Sequence, residues 1–204
     1  MSQFFKGLQN LELEALREVS HIGLDHAADA LSRLIGVEVG LKVPEVRVLP
    51  LREVPSLLGR GAVAALSLQI LGDLKGNIMV AFPGEAMASL LGLLTGKQES
   101  RTVVISQEDG SALKEVGNIL ASAYLSALSD LLRLSLIPSI PHLVFDPRGA
   151  AIELVLDEVR GLSATSLVID TRFHDPLQRI EGHVFLLPHH ESIEALLKAI
   201  KKGW

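Results

Sequence analysis

Two stretches of this chain, 97 residues apart, are copies of one another, and any fold must accommodate both. A shift of 97 brings Glu14, Glu18, His21 and Pro44 onto Ser111, Glu115, Asn118 and Pro141. Between Glu14 and Pro44 ten positions are identical, among them Leu16, Glu18, Val19, Ile22, Ala30, Leu31, Ser32 and Leu34. A short-period solenoid needs at least about three repeats to bury a continuous core. Two long ones imply a single domain, 1–204, built from repeats at about 10–96 and 106–203.

Helical periodicity sorts the second copy into two rows. Leu113, Val116, Leu120, Ala123, Ala127 and Leu131 follow three-and-four spacing, which predicts one buried face. Ser111, Glu115, Asn118, Ser122, Ser126 and Ser129 follow the same spacing on a polar face. Glu115 and Asn118 are three apart, so they project side by side from one turn. The first copy repeats the polar row as Glu14, Glu18, His21, Asp25, Asp29 and Ser32. Ser106-Gln107-Glu108-Asp109 has the form of a capping box and predicts a helix over 107–133. The earlier helix should run from an Asn10 cap to about Leu34, with Gly36 as its stop. Gly117 stands inside the later helix, where glycine costs about 1 kcal/mol against alanine. Something packed closely asks for it, either the sheet beneath or a partner.

The remaining segments read mainly as strands. Val39, Leu41 and Val43 alternate, and after Pro44 the phase slips to Val46 and Val48. The second copy slips in the same way, with Leu136 and Ile140 before Pro141, then Leu143 and Phe145. Proline cannot donate to a ladder, so each slip reads as a bulge or bend. Segments 62–70 and 76–82 form a strand pair around Gly72-Asp73-Leu74-Lys75, followed by a helix over 84–94 that stops at Gly96. Polar 97–101 marks the boundary between halves. Further strands fall at 151–156, 166–170 and 180–187, and a closing helix at 191–201. Each half reads as helix, strand, strand pair, helix. The expected fold class is α+β: a mostly antiparallel sheet under two long helices that carry the polar rows, plus shorter helices, related by a pseudo-twofold axis.

Composition removes several function classes. The net charge is −5 and no Lys/Arg cluster occurs, which argues against a nucleic-acid partner. There is no cysteine, so disulfides and thiol catalysis are excluded and a reducing cytoplasm fits. Residues 1–10 lack the apolar core and cleavage site of a signal peptide. No apolar run approaches the ~20 residues of a membrane span.

The spacing Ser-x3-Glu-x2-Asn-x22-Pro, met by Ser111, Glu115, Asn118 and Pro141, resembles the signature of the CheC/CheX/FliY phosphatases. Length and duplication are similar to the CheC branch over nearly the whole chain. FliY-like relatives carry an additional C-terminal flagellar-switch domain, for which 204 residues leave no room. The resemblance implies hydrolysis of the phospho-aspartate of a CheY-like response regulator. Asn118 would orient the attacking water, and Glu115 would dock the helix on a lysine of the partner. The same resemblance puts the Mg²⁺ and the phosphorylated aspartate in the regulator and no cofactor in this chain. Such a division of labour suits the chemistry. In-line attack on phosphorus needs positioning and charge management. An amide holds a water by donating and accepting at once without titrating.

The first copy departs from the signature. His21 stands where an asparagine is expected, and Glu14 where Asp or Ser is usual. Neutral imidazole has one donor and one acceptor but a different reach, and a ~1 Å misplacement can cost ~10²-fold. Glu18 and His21 are therefore expected to form a weak or silent second site, sensitive to pH through the histidine. Ser111, Glu14, Pro44 and Pro141 are read as supporting positions with mainly structural roles. A metal site is also conceivable where His21, His26, Asp25 and Asp29 crowd one helix. No cysteine or second histidine at proper spacing completes a tetrahedral set, so a polar helix face is the expected reading. The rival from another class is a non-enzymatic binding module, such as a flagellar switch component or a dock for the receptor deamidase CheD. In the family, CheD binds after the motif proline. Here 142–158 contains Pro147-Arg148-Gly149 and strand-like alternation, which leave little room for a docking helix. The duplication already supplies twofold pairing, so a monomer is expected.

Overall fold

A computed structural model of the chain describes residues 10–59, 61–96, 105–146, 165–177 and 179–203. Its elements run α1 (Asn10–Ile35), β1 (Gly40–Leu41), β2 (Glu45–Pro50), α2 (Val54–Leu57), β3 (Val63–Gly72) and β4 (Gly76–Pro83). Then follow α3 (Gly84–Thr95), α4 (Gln107–Leu132), β5 (Leu136–Pro138), β6 (His142–Asp146), β7 (Thr165–His174), β8 (Glu181–Pro188) and α5 (His190–Gly203). The fold class is α+β, as expected from the sequence. The expected boundary at 97–101 and the strand at 151–156 lie outside the described residues.

Every strand pairing described is antiparallel. The sheet runs β1-β7-β8-β4-β3-β5, with β2 also on β7 and β6 also on β3. The two long hairpins, β3–β4 and β7–β8, meet through β4 and β8 at the centre. The short strands are exchanged: β1 and β2 pair with β7, while β5 and β6 pair with β3. Among the described residues each long hairpin therefore takes its outer short strands from the other end of the chain. Pairings on the two sides correspond position by position. Glu45 lies opposite Asp170 as His142 lies opposite Ser67, and Gly40 opposite His174 as Ile137 lies opposite Leu71. At the centre, Ile78–Leu186 and Val80–Val184 flank the pair Met79–Phe185.

Strand alternation splits the core into two layers. Ala64, Leu66, Leu68, Ile78, Val80, Leu167, Ile169 and Leu186 point to the face covered by α1, α3, α4 and α5. Val63, Ala65, Met79, Ala81, Val168, Phe185 and Leu187 point the other way, where Leu51, Val54 and Leu58 cover them. That cover is a 3₁₀ turn, Leu51–Glu53, running into α2, which the sequence reading did not contain. The element is too short to show a helical period, and Pro55 sits at its start. Strand β7 is also longer than the expected 166–170.

Helix α4 begins on its predicted capping box, and α1 ends at its predicted stop. Helix α1 already includes Asn10, the residue expected to cap it, and α4 closes on a left-handed Arg133 that no sequence signal marked. Ser106 Oγ accepts from Asp109 N at 3.2 Å while Asp109 Oδ2 accepts from Ser106 N at 3.0 Å, closing the capping box. Gly36 follows α1 at φ 69°, in the left-handed region that glycine enters without strain. The buried row of α4 needs correction. It continues from Leu120 and Ala121 through Tyr124, Leu125, Leu128 and Leu132, leaving Ala123, Ala127 and Leu131 half-buried. The cause is α1, which packs directly on α4 and covers a second side of it.

Candidate functional site

Helix α4 is held at one height above the sheet by its buried side. Leu113, Val116 and Leu120 enter the main core, and Gly117 sits against β3. A Cβ on Gly117 would meet Leu66 Cδ2 at 3.0 Å and Leu66 Cβ at 3.3 Å. Of the two readings left open for this glycine, close packing on the sheet accounts for it. Roughly opposite these contacts, Glu115 and Asn118 are both exposed, and neither has a hydrogen-bond or ion-pair partner among the described residues. Lys114 beside them is likewise exposed and unpartnered. The helix thus presents one turn with a free carboxylate, a free amide and a free ammonium group.

The supporting positions turn out to be local. Ser111 Oγ donates back to Gln107 O at 3.0 Å, within its own helix. Pro141 lies in the connection between β5 and β6, and Pro44 in the one between β1 and β2. The polar row does not face water along its whole length. Ser129 Oγ accepts from Leu136 N at 3.1 Å, and Ser32 Oγ accepts from Val39 N at 2.9 Å. These two serines tie each long helix to the strand that follows it. Nothing in the spacing separates them from exposed Ser126, because the tie forms only once the chain has turned back.

The first copy presents a different surface. Among the described residues Glu18 is exposed without a partner, whereas the His21 ring is half-buried and its Nδ1 is enclosed with no hydrogen-bond partner. Glu14 is engaged by Arg17 Nη1 at 2.6 Å, and Arg17 Nε donates to Pro44 O at 3.1 Å. That arginine lines an open groove of about 320 Å³ with Val43, Pro44, Glu45, Val46 and Arg47. Where α1 and α4 meet, Tyr124 lies over Gly23; a Cβ there would stand 2.7 Å from ring carbons Cδ2 and Cε2. Burial drives the Tyr124 phenol far above its usual range, partly countered by nearby Ser20. The hydroxyl reaches no partner with good hydrogen-bond geometry. Sequence reasoning missed this contact. Among the described residues, no group of three His, Asp or Glu is placed to hold a metal, and His21, Asp25, His26 and Asp29 do not converge on one. Of the segment 142–158 weighed for CheD docking, His142–Asp146 is β6 and 147–158 lies outside the described residues.

Helices packed over one antiparallel sheet make a fold that this chain shares with solved FliY and CheX structures. The crystal structure of Thermotoga maritima FliY has it, with a TM-score of 0.78 at 18% identity over 97% of this chain and 100% of that one. So does the CheX in a CheX–CheY–BeF3–Mg²⁺ complex from Borrelia burgdorferi, at a TM-score of 0.57 and 16% identity, covering 83% of this chain and 97% of that one. A family model described as the CheC-like family matches residues 110–144, the stretch from Ser111 to Pro141. The Bacillus subtilis CheY-P phosphatase CheC is 34% identical over 203 residues, 96% of this chain and 97% of that one. The chain belongs to the CheC-like family. Among the described residues no helix is long and apolar enough to cross a membrane.

Proposed function

We propose that this chain hydrolyses the phospho-aspartate of a CheY-like response regulator, with α4 as the working helix. Asn118 enters the regulator's phosphorylated pocket and holds a water in line with phosphorus, donating and accepting through its amide. Water adds to phosphorus as the P–O bond to the aspartate breaks. The electron pair leaves on the carboxylate, and inorganic phosphate departs. Glu115 pairs with a lysine of the regulator and docks the helix. The Mg²⁺ that neutralises the phosphoryl oxygens belongs to the regulator. This setting is the cytoplasm, where two-component signalling proteins meet.

The observation that carries the reading is the exposure of Glu115 and Asn118 together, unpartnered, on one turn of a helix fixed by its packing. The relative's name supports the activity, and the CheX–CheY complex supports a partner of this kind. The same proposal takes 10–96 and 106–203 as two repeats of one domain acting as a monomer. Their correspondence in strand register, and the matching ties of Ser32 and Ser129, support it.

The test is phosphate release from the phosphorylated regulator. Asn118→Ala should lower kcat about 100-fold with little change in KM, as for loss of a positioning group. Glu115→Ala should chiefly raise KM, by about tenfold. Near-normal turnover by a folded Asn118→Ala protein would end the proposal.

A further inference from the structure

We infer that Ile140 is an apolar anchor for the same response regulator, level with the Glu115–Asn118 turn along α4. The inference rests on the reading above and names a contact that reading does not contain. At 90% exposure, Ile140 is the most exposed large hydrophobic residue among those described. One exposed isoleucine means little by itself, but its setting is specific.

The loop that carries it is pinned. Ser139 N donates to Gln69 O at 2.9 Å, Gln69 N donates to Ser139 Oγ at 2.9 Å, and that hydroxyl donates on to Ile140 O at 3.1 Å. The side chain is thus held out by a fixed backbone. Its place along α4 is bracketed by two contacts. Leu136 is bonded to Ser129, and Leu143 Cδ2 lies 3.5 Å from where a Gly110 Cβ would stand. The chain from 136 to 143 therefore runs back along α4 from 129 to 110. At about 1.5 Å per helical residue and about 3.3 Å per extended one, these stretches span about 28 Å and 23 Å. Ile140, four steps along seven, falls level with the turn of Asn118.

The first copy repeats the arrangement. Val43 is 64% exposed and stands immediately before Pro44, whose carbonyl accepts from Arg17, the neighbour of Glu18. An outward β-branched side chain thus accompanies each acid-bearing turn. A polar pair that must enter a pocket gains orientation from an apolar contact at its rim, and a desolvated aliphatic anchor contributes through the dissociation rate.

The experiment measures the Kd of the full chain for the regulator activated by beryllofluoride, together with phosphate-release kinetics. Ile140→Asp should weaken binding about tenfold and raise KM to match, with kcat within about twofold and an unchanged melting temperature. Ile140→Leu should retain wild-type affinity. Unchanged Kd and KM in Ile140→Asp, or a fall in kcat alone, overturns the anchor while leaving the phosphatase reading in place. Full turnover by Asn118→Ala overturns that reading, whereas a tenfold Kd loss in Ile140→Asp still upholds the anchor.

Discussion

Asp175 shows how much one residue can organise. Its carboxylate is buried at the turn between β7 and β8, where Arg179 N reaches Oδ1 at 2.6 Å, Ile180 N reaches Oδ1 at 2.9 Å, and Arg179 Nε reaches Oδ2 at 3.0 Å. Burial alone would raise its pKa. The bonds from Ile180 and Arg179 outweigh that and hold it below the ordinary carboxylate range. The guanidinium is half-exposed, so the backbone amides contribute more than the ion pair. A carboxylate whose folded pKa is depressed stabilises fully above its unfolded pKa, about 3.9, and loses that contribution as pH falls through the folded value. Asp175→Asn should therefore cost about 1–3 kcal/mol at pH 7. Its gap from wild type should narrow as pH drops below about 4, read from urea midpoints at pH 7 and pH 3. Equal midpoints at pH 7 would refute this.

At the scale of elements, the crossing of α1 on α4 is where sequence and structure part. The longer helices, the α4 capping box and the Gly36 and Gly96 stops were legible because each signal is local. Gly117 was legible as a close approach, though not to Leu66, because a missing Cβ names no partner. Gly23 and Tyr124 gave no such warning. The step after Leu120 could be three or four residues, and Ala123 is as apolar as Tyr124 is large. Only the presence of α1 on α4 decides for the tyrosine. The strand exchange was illegible for the same reason, since pairing partners far apart in sequence leave no local pattern. A stability test follows from the crossing. Alanine at position 23 gains about 1 kcal/mol of helix propensity, but its methyl would press on an enclosed ring at 2.7 Å. Overpacking costs about 1–3 kcal/mol, so Gly23→Ala should lose up to roughly 2 kcal/mol net. Urea unfolding that gives Gly23→Ala a higher midpoint than wild type would show that the ring moves aside freely.

Across the whole molecule, the sheet pairs with itself about Met79 and Phe185, and the two long helices carry their acids at matching positions. Under the proposed function, such a frame offers two docking turns, yet the turns are unequal. Asn118 stands free in solvent, whereas His21 lies half-buried with its Nδ1 enclosed, and Arg17 draws Glu14 and the Pro44 loop together nearby. If the frame is equivalent and only the side chain differs, the first site needs one change to work. An asparagine at 21 is shorter than imidazole and carries the non-titrating amide that positions water. The double variant Asn118→Ala/His21→Asn should then recover at least about a tenth of the wild-type phosphatase rate, since positioning is worth ~10²-fold. Its activity should also be flat between pH 6 and 8, with no histidine in the working turn. A folded double variant no faster than Asn118→Ala alone would mean that the inequality lies in the surroundings, with the Arg17–Pro44 tie the next feature to cut. Recovery would instead place the difference between the two halves in a single side chain, on a scaffold that treats both helices alike.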